Sequence, residues 1–209
     1  MRQIAKREDI RDLILDAVDG LLARFGYKKM TMEDVAREVG IGKGTIYLHF
    51  PSKEELVLAH VDRIAERVVA KLGEIGASPE PADRRLRRML VLRVLFRFDS
   101  VAHYSRNLSD LLSSVRPALI ARREAHFEKE AAVLEAVLRE GARTGALDCP
   151  DPRTTSFALV QSTNALLPFS LSPQELGRRE DVEGQVGRIA DLLIKGLLPC
   201  PSRPASWTR

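Results

Sequence analysis

Apolar residues recur at close to the ~3.6-residue period of an α-helix along almost the whole chain, and strand-type alternation is scarce. Ile10, Ile14, Ala17, Leu21 and Phe25 form one such stripe and predict a first helix over about 7–25. Gly26 follows, where a left-handed cap costs glycine little. Thr31 precedes a second predicted helix, Met32 to Val39, with Asp34 completing an imperfect capping box and Gly40 as the stop. A third runs from about Gly42 to Tyr47. Pro51 then breaks the chain, and Ser52 caps a fourth that starts Lys53-Glu54-Glu55 and reaches about Leu72. GASPEPAD (76–83) reads as a loop, as does LSPQEL (171–176), and further helices are expected at about 84–98, 101–114, 117–143, 153–168 and 182–198. The expected class is all-α: an N-terminal helix-turn-helix three-helix domain (1–52) and a larger C-terminal helical bundle (53–200), with about nine helices. The Pro-rich segment 201–209 is expected to be a disordered tail.

Composition narrows the function by exclusion. Only two cysteines, Cys149 and Cys200, are present, which excludes a disulfide framework and a multi-cysteine zinc module. The His, Cys and carboxylate spacings match no zinc site, so neither a metal nor a cofactor is expected. The most apolar run, Met89 to Phe98, is interrupted by Arg93 and Arg97, far short of the ~20 residues a membrane span needs. The N-terminal MRQIAKREDI lacks the apolar core of a signal peptide, and a cytoplasmic location is expected. No phosphate-cradling glycine loop, nucleophile elbow or His-Glu-x-x-His pair occurs, which speaks against an enzyme.

The net charge of +4 is a poor guide to DNA binding, because residues 1–60 hold ten basic and ten acidic side chains. Its distribution is more informative. No acid lies between Asp19 and Glu33, beside Arg24, Lys28 and Lys29, and none between Glu38 and Glu54, beside Lys43, His49 and Lys53. Two such windows could build one positive face on a neutral domain.

Residues 31–50, TMEDVAREVGIGKGTIYLHF, place two short helices around a glycine turn. Val35, Ala36, Ile41 and Ile46 have the types and positions of the packed side, which leaves Lys43, Gly44, Thr45, Tyr47 and His49 outward. These outward types suit a duplex groove. Lys43 can meet phosphate or guanine, Gly44 allows a close backbone approach, and Thr45 can contact a base edge or a thymine methyl. Tyr47 offers a ring and a hydroxyl that reaches phosphate, and His49 extends the basic edge. Lys53 and Thr31 sit at helix N-termini, where phosphate is favoured.

The segment resembles the N-terminal domain of TetR-family transcriptional regulators. The resemblance rests on Thr31, Val35-Ala36, Val39-Gly40-Ile41, Lys43-Gly44-Thr45-Ile46-Tyr47, His49-Phe50 and Lys53-Glu54-Glu55-Leu56, with Phe25-Gly26-Tyr27 before them. It implies a homodimer on the palindromic operator of a double-stranded DNA, acting as a repressor, with a small-molecule effector held in the C-terminal bundle. A ligand that changed the spacing of two reading heads, about 34–36 Å apart on successive major grooves, would release the DNA.

In the C-terminal half the readings stay open. Arg93 and Arg97 are either a solvated or salt-bridged edge or a clamp for an acidic ligand. His103 and Tyr104 follow Phe96 and Phe98 and are either packed or pocket-lining. His126 can pair with Glu130 at i+4, and Phe127 continues a stripe with Ile120, Leu134 and Leu138. Gln161 and Asn164 suit a helix seam or a ligand. Cys149 and Cys200 are expected to be free surface thiols. The expected effector is a lipophilic small molecule lined by Phe96, His103, Phe127, Gln161 and Asn164, with Arg93 as anchor for an acidic one. The two last helices are expected to pair antiparallel and form a four-helix seam with a second copy, using Ala158, Ser162, Ala165, Ile189, Leu192, Leu193 and Leu197.

Overall fold

The computed structural model describes residues 7–168 and 177–199, and eight α-helices carry the architecture of these residues, with no strand among them. The order is α1 (Arg7–Lys29), α2 (Met32–Val39), α3 (Lys43–His49), α4 (Lys53–Gly76), α5 (Ala82–Val101), α6 (Leu108–Arg143), α7 (Pro152–Ser162) and α8 (Arg179–Lys195). Short 3-10 turns at Ala102–Asn107 and Asn164–Leu166 join α5 to α6 and follow α7. The all-α expectation holds, and eight helices stand close to the nine expected.

Local capping sets the boundaries of the first helices. Thr31 Oγ1 accepts from the Asp34 amide at 3.1 Å, and the Asp34 carboxylate accepts from the Thr31 amide at 3.0 Å, so the capping box closes in both directions. Gly40 ends α2 at φ 74°, a left-handed conformation that costs a side-chain-bearing residue about 1–2 kcal/mol. Ser52 Oγ accepts from the Glu55 amide at 3.1 Å and starts α4. Gly26 interrupts α1 where the sequence places the end of the first helix. The chain bends there, at φ 71° and ψ 169°, and one more helical stretch reaches Lys29.

Two of the expected breaks differ. The segment 101–114 is not one helix, because the 3-10 turn Ala102–Asn107 occupies its first half. Pro117 does not start a helix; it lies inside the 36-residue α6. A proline within a helix costs roughly 3 kcal/mol. Leu111, Leu112 and Val115 before it and Leu119 after it all bury in one core, and about 1.5–3 kcal/mol per buried aliphatic side chain outweighs that cost.

The core has two main parts. The first joins α1, α2 and α3 to the front half of α4, the 3-10 turn after α5 and the start of α6, around Ile14, Val18, Val35, Ile46, Leu58, Tyr104 and Leu111. The second joins the back of α4 to α5, α6, α7 and α8. Helix α4 therefore belongs to both. The last two helices share the second core, but α7 packs chiefly on α6 and α8 on α5, so the expected antiparallel pair within one chain is not formed as such. Cys149 is buried, not a surface thiol, and Cys200 and the 201–209 tail lie outside the described residues, as does the LSPQEL loop.

Candidate nucleic-acid interface and effector cavity

The helix-turn-helix is built from the side chains expected to pack it. Val35 and Ile46 are fully buried, Ala36 nearly so, and Ile41 packs against the same core. With Ile46 pinned inward, the opposite side of α3 must face out. Lys43, Gly44 and Tyr47 are exposed there, Thr45 and His49 are partly exposed, and a Cβ at Gly44 would meet nothing within 4 Å. Leu48 is the most exposed large apolar side chain of the described residues, at 77%. Sequence reasoning passed over it because leucine reads as core. Its place four residues after Gly44 and next to Tyr47 was the available signal.

The basic windows do not remain free of acids in three dimensions. Lys43 Nζ pairs with Glu33, Arg24 with Glu38 at 2.7 Å, and Lys28 with Asp110 at 2.7 Å. The Lys43 bond raises the lysine pKa and lowers that of Glu33. Both partners are more than half exposed, and such surface pairs are worth about 0–1 kcal/mol, so the lysine can exchange its carboxylate for a phosphate at little cost. Lys53 is different. Its ammonium donates to the carbonyls of Tyr27 at 2.9 Å and Met30 at 3.1 Å and lies 4.4 Å from the centre of the Tyr27 ring. The expected phosphate ligand is thus occupied in tying α4 to the end of α1. Thr31 is likewise engaged, in the capping box.

The effector residues expected from sequence divide among three places. Phe127, Gln161 and Asn164 do meet, in a groove of about 360 Å³ between α6 and α7. His103 instead pairs with Asp19 of α1 at 2.9 Å, in a polar cleft with Asp16, His60 and Arg63. Phe96 packs on the second core and lines neither space. Arg93 is fully buried and uses four of its five N–H groups: it donates to Glu130 at 2.7 Å, the Val160 carbonyl at 2.9 Å, Thr163, and Asn164 at 3.0 Å. It has no free edge to anchor a ligand. Of the two edge readings the salt-bridged one holds and the solvated one does not, since Arg97 is also buried and donates to the second oxygen of Glu130 at 2.5 Å. Burial pushes the Arg93 pKa down, and Glu130 offsets this in part. Burial likewise pushes the Glu130 carboxyl up, but the two guanidinium charges outweigh it and hold it below the usual range.

His126 is not paired with Glu130. It contacts Asp62 of α4 at 2.8 Å, and Arg122 bridges the same Asp62 and Glu55, each at 2.7 Å. Burial raises the Asp62 carboxyl, yet the bonds from His126 and Arg122 prevail and lower it. This cluster starts at a second cavity, of about 240 Å³, enclosed by α4, α5, α6 and Leu167. Its walls include Val61, Ala65, Arg97, Leu119, His126 and Phe127. Sequence reasoning had Phe127 as a lining residue and Arg97 as one reading of a clamp for an acidic ligand, but not the rest of the set, because α4 contributes two of the walls. Among the described residues no cluster of three or more His, Cys, Asp or Glu could hold a metal ion, and no helix is long and apolar enough to cross a membrane.

Residues 14–60 match the family model of bacterial regulatory proteins, tetR family. The chain is 27% identical to YhgD, an uncharacterized HTH-type transcriptional regulator of Bacillus subtilis, over 90% of this chain and 97% of that one. It is 26% identical to the HTH-type transcriptional regulator TtgR of Pseudomonas putida, over 89% and 92%. It also superposes with TM-score 0.70, at 27% identity, on a solved structure described as the molecular basis for control of antibiotic production by bacterial hormones, over 93% of this chain and 100% of that one. Helix-turn-helix geometry, family match and relatives agree: residues 14–60 match the DNA-binding domain of the tetR family, and the chain is similar over most of its length to HTH-type transcriptional regulators.

Proposed function

We propose that the chain is a ligand-responsive repressor that binds a palindromic operator as a homodimer through α3 and leaves it when a lipophilic small molecule enters the 240 Å³ cavity. The observation that carries the DNA reading is the exposed face of α3, where Lys43, Gly44, Thr45, Tyr47 and His49 stand outward over a buried Ile46. Leu48 joins them as an apolar contact of the kind that meets a thymine methyl. Lys53 and Thr31 support the site by fixing the ends of α1 and α2. Residues 1–52 form the DNA-binding unit and 53–200 the effector and dimerisation unit, acting in the cytoplasm.

Dimerisation is supported by an exposed surface on the last two helices. Ala158, Ser162 and Ala165 lie exposed on one side of α7 and the turn after it, and Leu192 of α8 is 73% exposed. Small residues permit close approach and leucine supplies apolar area, which suits a self-complementary twofold seam. The effector reading is supported by the position of the cavity. Its α4 wall begins at Val61, nine residues after the Ser52 cap, so a ligand that moves α4 moves the helix-turn-helix with it.

The test is selection from random duplex DNA with the purified chain, followed by a salt titration. The expected product is a palindrome bound by two chains, with an affinity that falls steeply with salt. A monomer at micromolar concentration with no sequence preference would overturn the reading.

A further inference from the structure

The charge balance around the 240 Å³ cavity is uneven. Arg93, Arg97 and Glu130 are all buried, and the single carboxylate faces two guanidiniums, so the buried trio carries one net positive charge. No other carboxylate pairs with either arginine among the described residues. Burying an uncompensated charge is costly. Arg97 is the member that lines the cavity, and of its five N–H donors two are used among the described residues, toward Glu130 and the Arg93 carbonyl.

The mouth continues the pattern. Arg116, Ile120, Arg123 and Phe127 fall on one stripe of α6, and all four line the cavity. Arg116 and Arg123 are exposed and have no ion-pair partner among the described residues, although 22 other pairs form in the structure. Arg123 stacks its guanidinium 5.6 Å from the centre of the Phe127 ring. Ile120 between them is 49% exposed. The cavity lining contains no acid, and its remaining walls are Val61, Ala65, Leu112 and Leu119 together with His126 and Leu167.

We propose that the ligand of this cavity is an amphipathic monoanion, a carboxylate on a compact apolar body, whose charge compensates Arg97 and is gripped at the mouth by Arg116 and Arg123. The inference rests on the effector reading above and names its chemical class. The cavity, about 240 Å³ with largely apolar walls, has room for a compact apolar body and not only for a lone ion or water. A neutral molecule of that shape would fill the space and leave the arginines unanswered, and a cation would add to the excess.

The experiment uses octanoate, 1-octanol and octylammonium, three probes of the same body and different charge. Binding to the full chain is read by titration calorimetry, and release from a selected operator duplex by fluorescence anisotropy. Octanoate is expected to bind once per chain, at least about tenfold tighter than octanol, as charge-assisted hydrogen bonds require. Octylammonium is expected not to bind. Arg116→Gln combined with Arg123→Gln, both at exposed positions, is expected to remove most of the preference for octanoate over octanol. Octanol binding as tightly as octanoate, octylammonium binding, or a preference that survives the double substitution would overturn the assignment, as would a failure of all three probes to bind. The two readings separate cleanly. Equal release of DNA by octanol and octanoate would refute the anion and keep the effector cavity. Tight octanoate binding without release would keep the anion and refute the effector.

Discussion

Glu130→Gln should be among the most damaging single substitutions in the C-terminal bundle. The glutamate is fully buried, and its two oxygens take Arg93 Nε at 2.7 Å and Arg97 at 2.5 Å. Gln keeps the shape, but one end of its amide would present N–H to a guanidinium and neither arginine would have an anion. Breaking a buried pair from one side costs about 3–5 kcal/mol, because the orphaned charge stays buried. Two pairs share the carboxylate, so their losses do not add, and the upper part of that range is expected. A chain of this length loses roughly 2–4 °C of melting temperature per kcal/mol, so the midpoint should fall by roughly 10–20 °C. The assay is thermal and urea unfolding followed by circular dichroism. Adding Arg97→Gln to the variant should recover part of the loss, since it removes one of the two orphaned cations, and a double-mutant cycle reads that recovery directly. A Glu130→Gln protein within about 1 kcal/mol of wild type would refute the argument that this trio holds α5, α6 and α7 together.

Three further outcomes are expected. Burial lowers the His60 pKa to about 4, well under its ordinary 6.5. The unfolded chain therefore binds the extra proton first, stability falls as pH drops below about 6.5, and at pH 5 the loss from this group is about 2 kcal/mol; His60→Gln should flatten that part of the stability–pH curve, and an unchanged slope would contradict it. Lys53→Met should cost about 1–2 kcal/mol of stability through the lost bonds to the Tyr27 and Met30 carbonyls, with the salt dependence of DNA binding unchanged; unchanged stability with a salt slope lower by about 1 would instead make Lys53 a phosphate ligand. Arg122→Gln removes the bridge from α6 to Asp62 and Glu55 on α4, and should raise the effector concentration needed for release while leaving effector-free DNA binding intact. Release at the wild-type concentration would show that this bridge carries no coupling.

The helix-turn-helix was legible in the sequence because its determinants are local. Thr31, Gly40 and Ser52 act on amides and carbonyls within four residues, and Val35, Ala36 and Ile46 declare the buried side by spacing alone. What the sequence hid depends on partners far along the chain. Arg93 and Arg97 look like a solvated edge until Glu130, 37 and 33 residues on, is brought between them. His126 has an acid at i+4, yet the fold supplies Asp62 from 64 residues away. Lys53 reads as a free cation because its acceptors are carbonyls 23 and 26 residues earlier, groups that carry no sequence signature. Pro117 gives the opposite error: a strong local break signal is overridden by core packing on both sides of it. His103 and Phe127 share apolar surroundings in the sequence but fall in different spaces, because the 3-10 turn at Ala102–Asn107 turns the chain toward α1.

The central claim is that the outward face of α3 reads DNA, and it is tested most directly by operator affinity in Tyr47→Ala and Lys43→Ala. Tyr47 is 45% exposed and the Lys43 side chain 54%, so neither change should unfold the chain, which circular dichroism can verify. On a duplex selected by the wild-type protein, each variant should bind about 1–3 kcal/mol more weakly, with the lysine variant also showing a shallower salt slope. Wild-type affinity in both variants, with folding intact, would contradict the account.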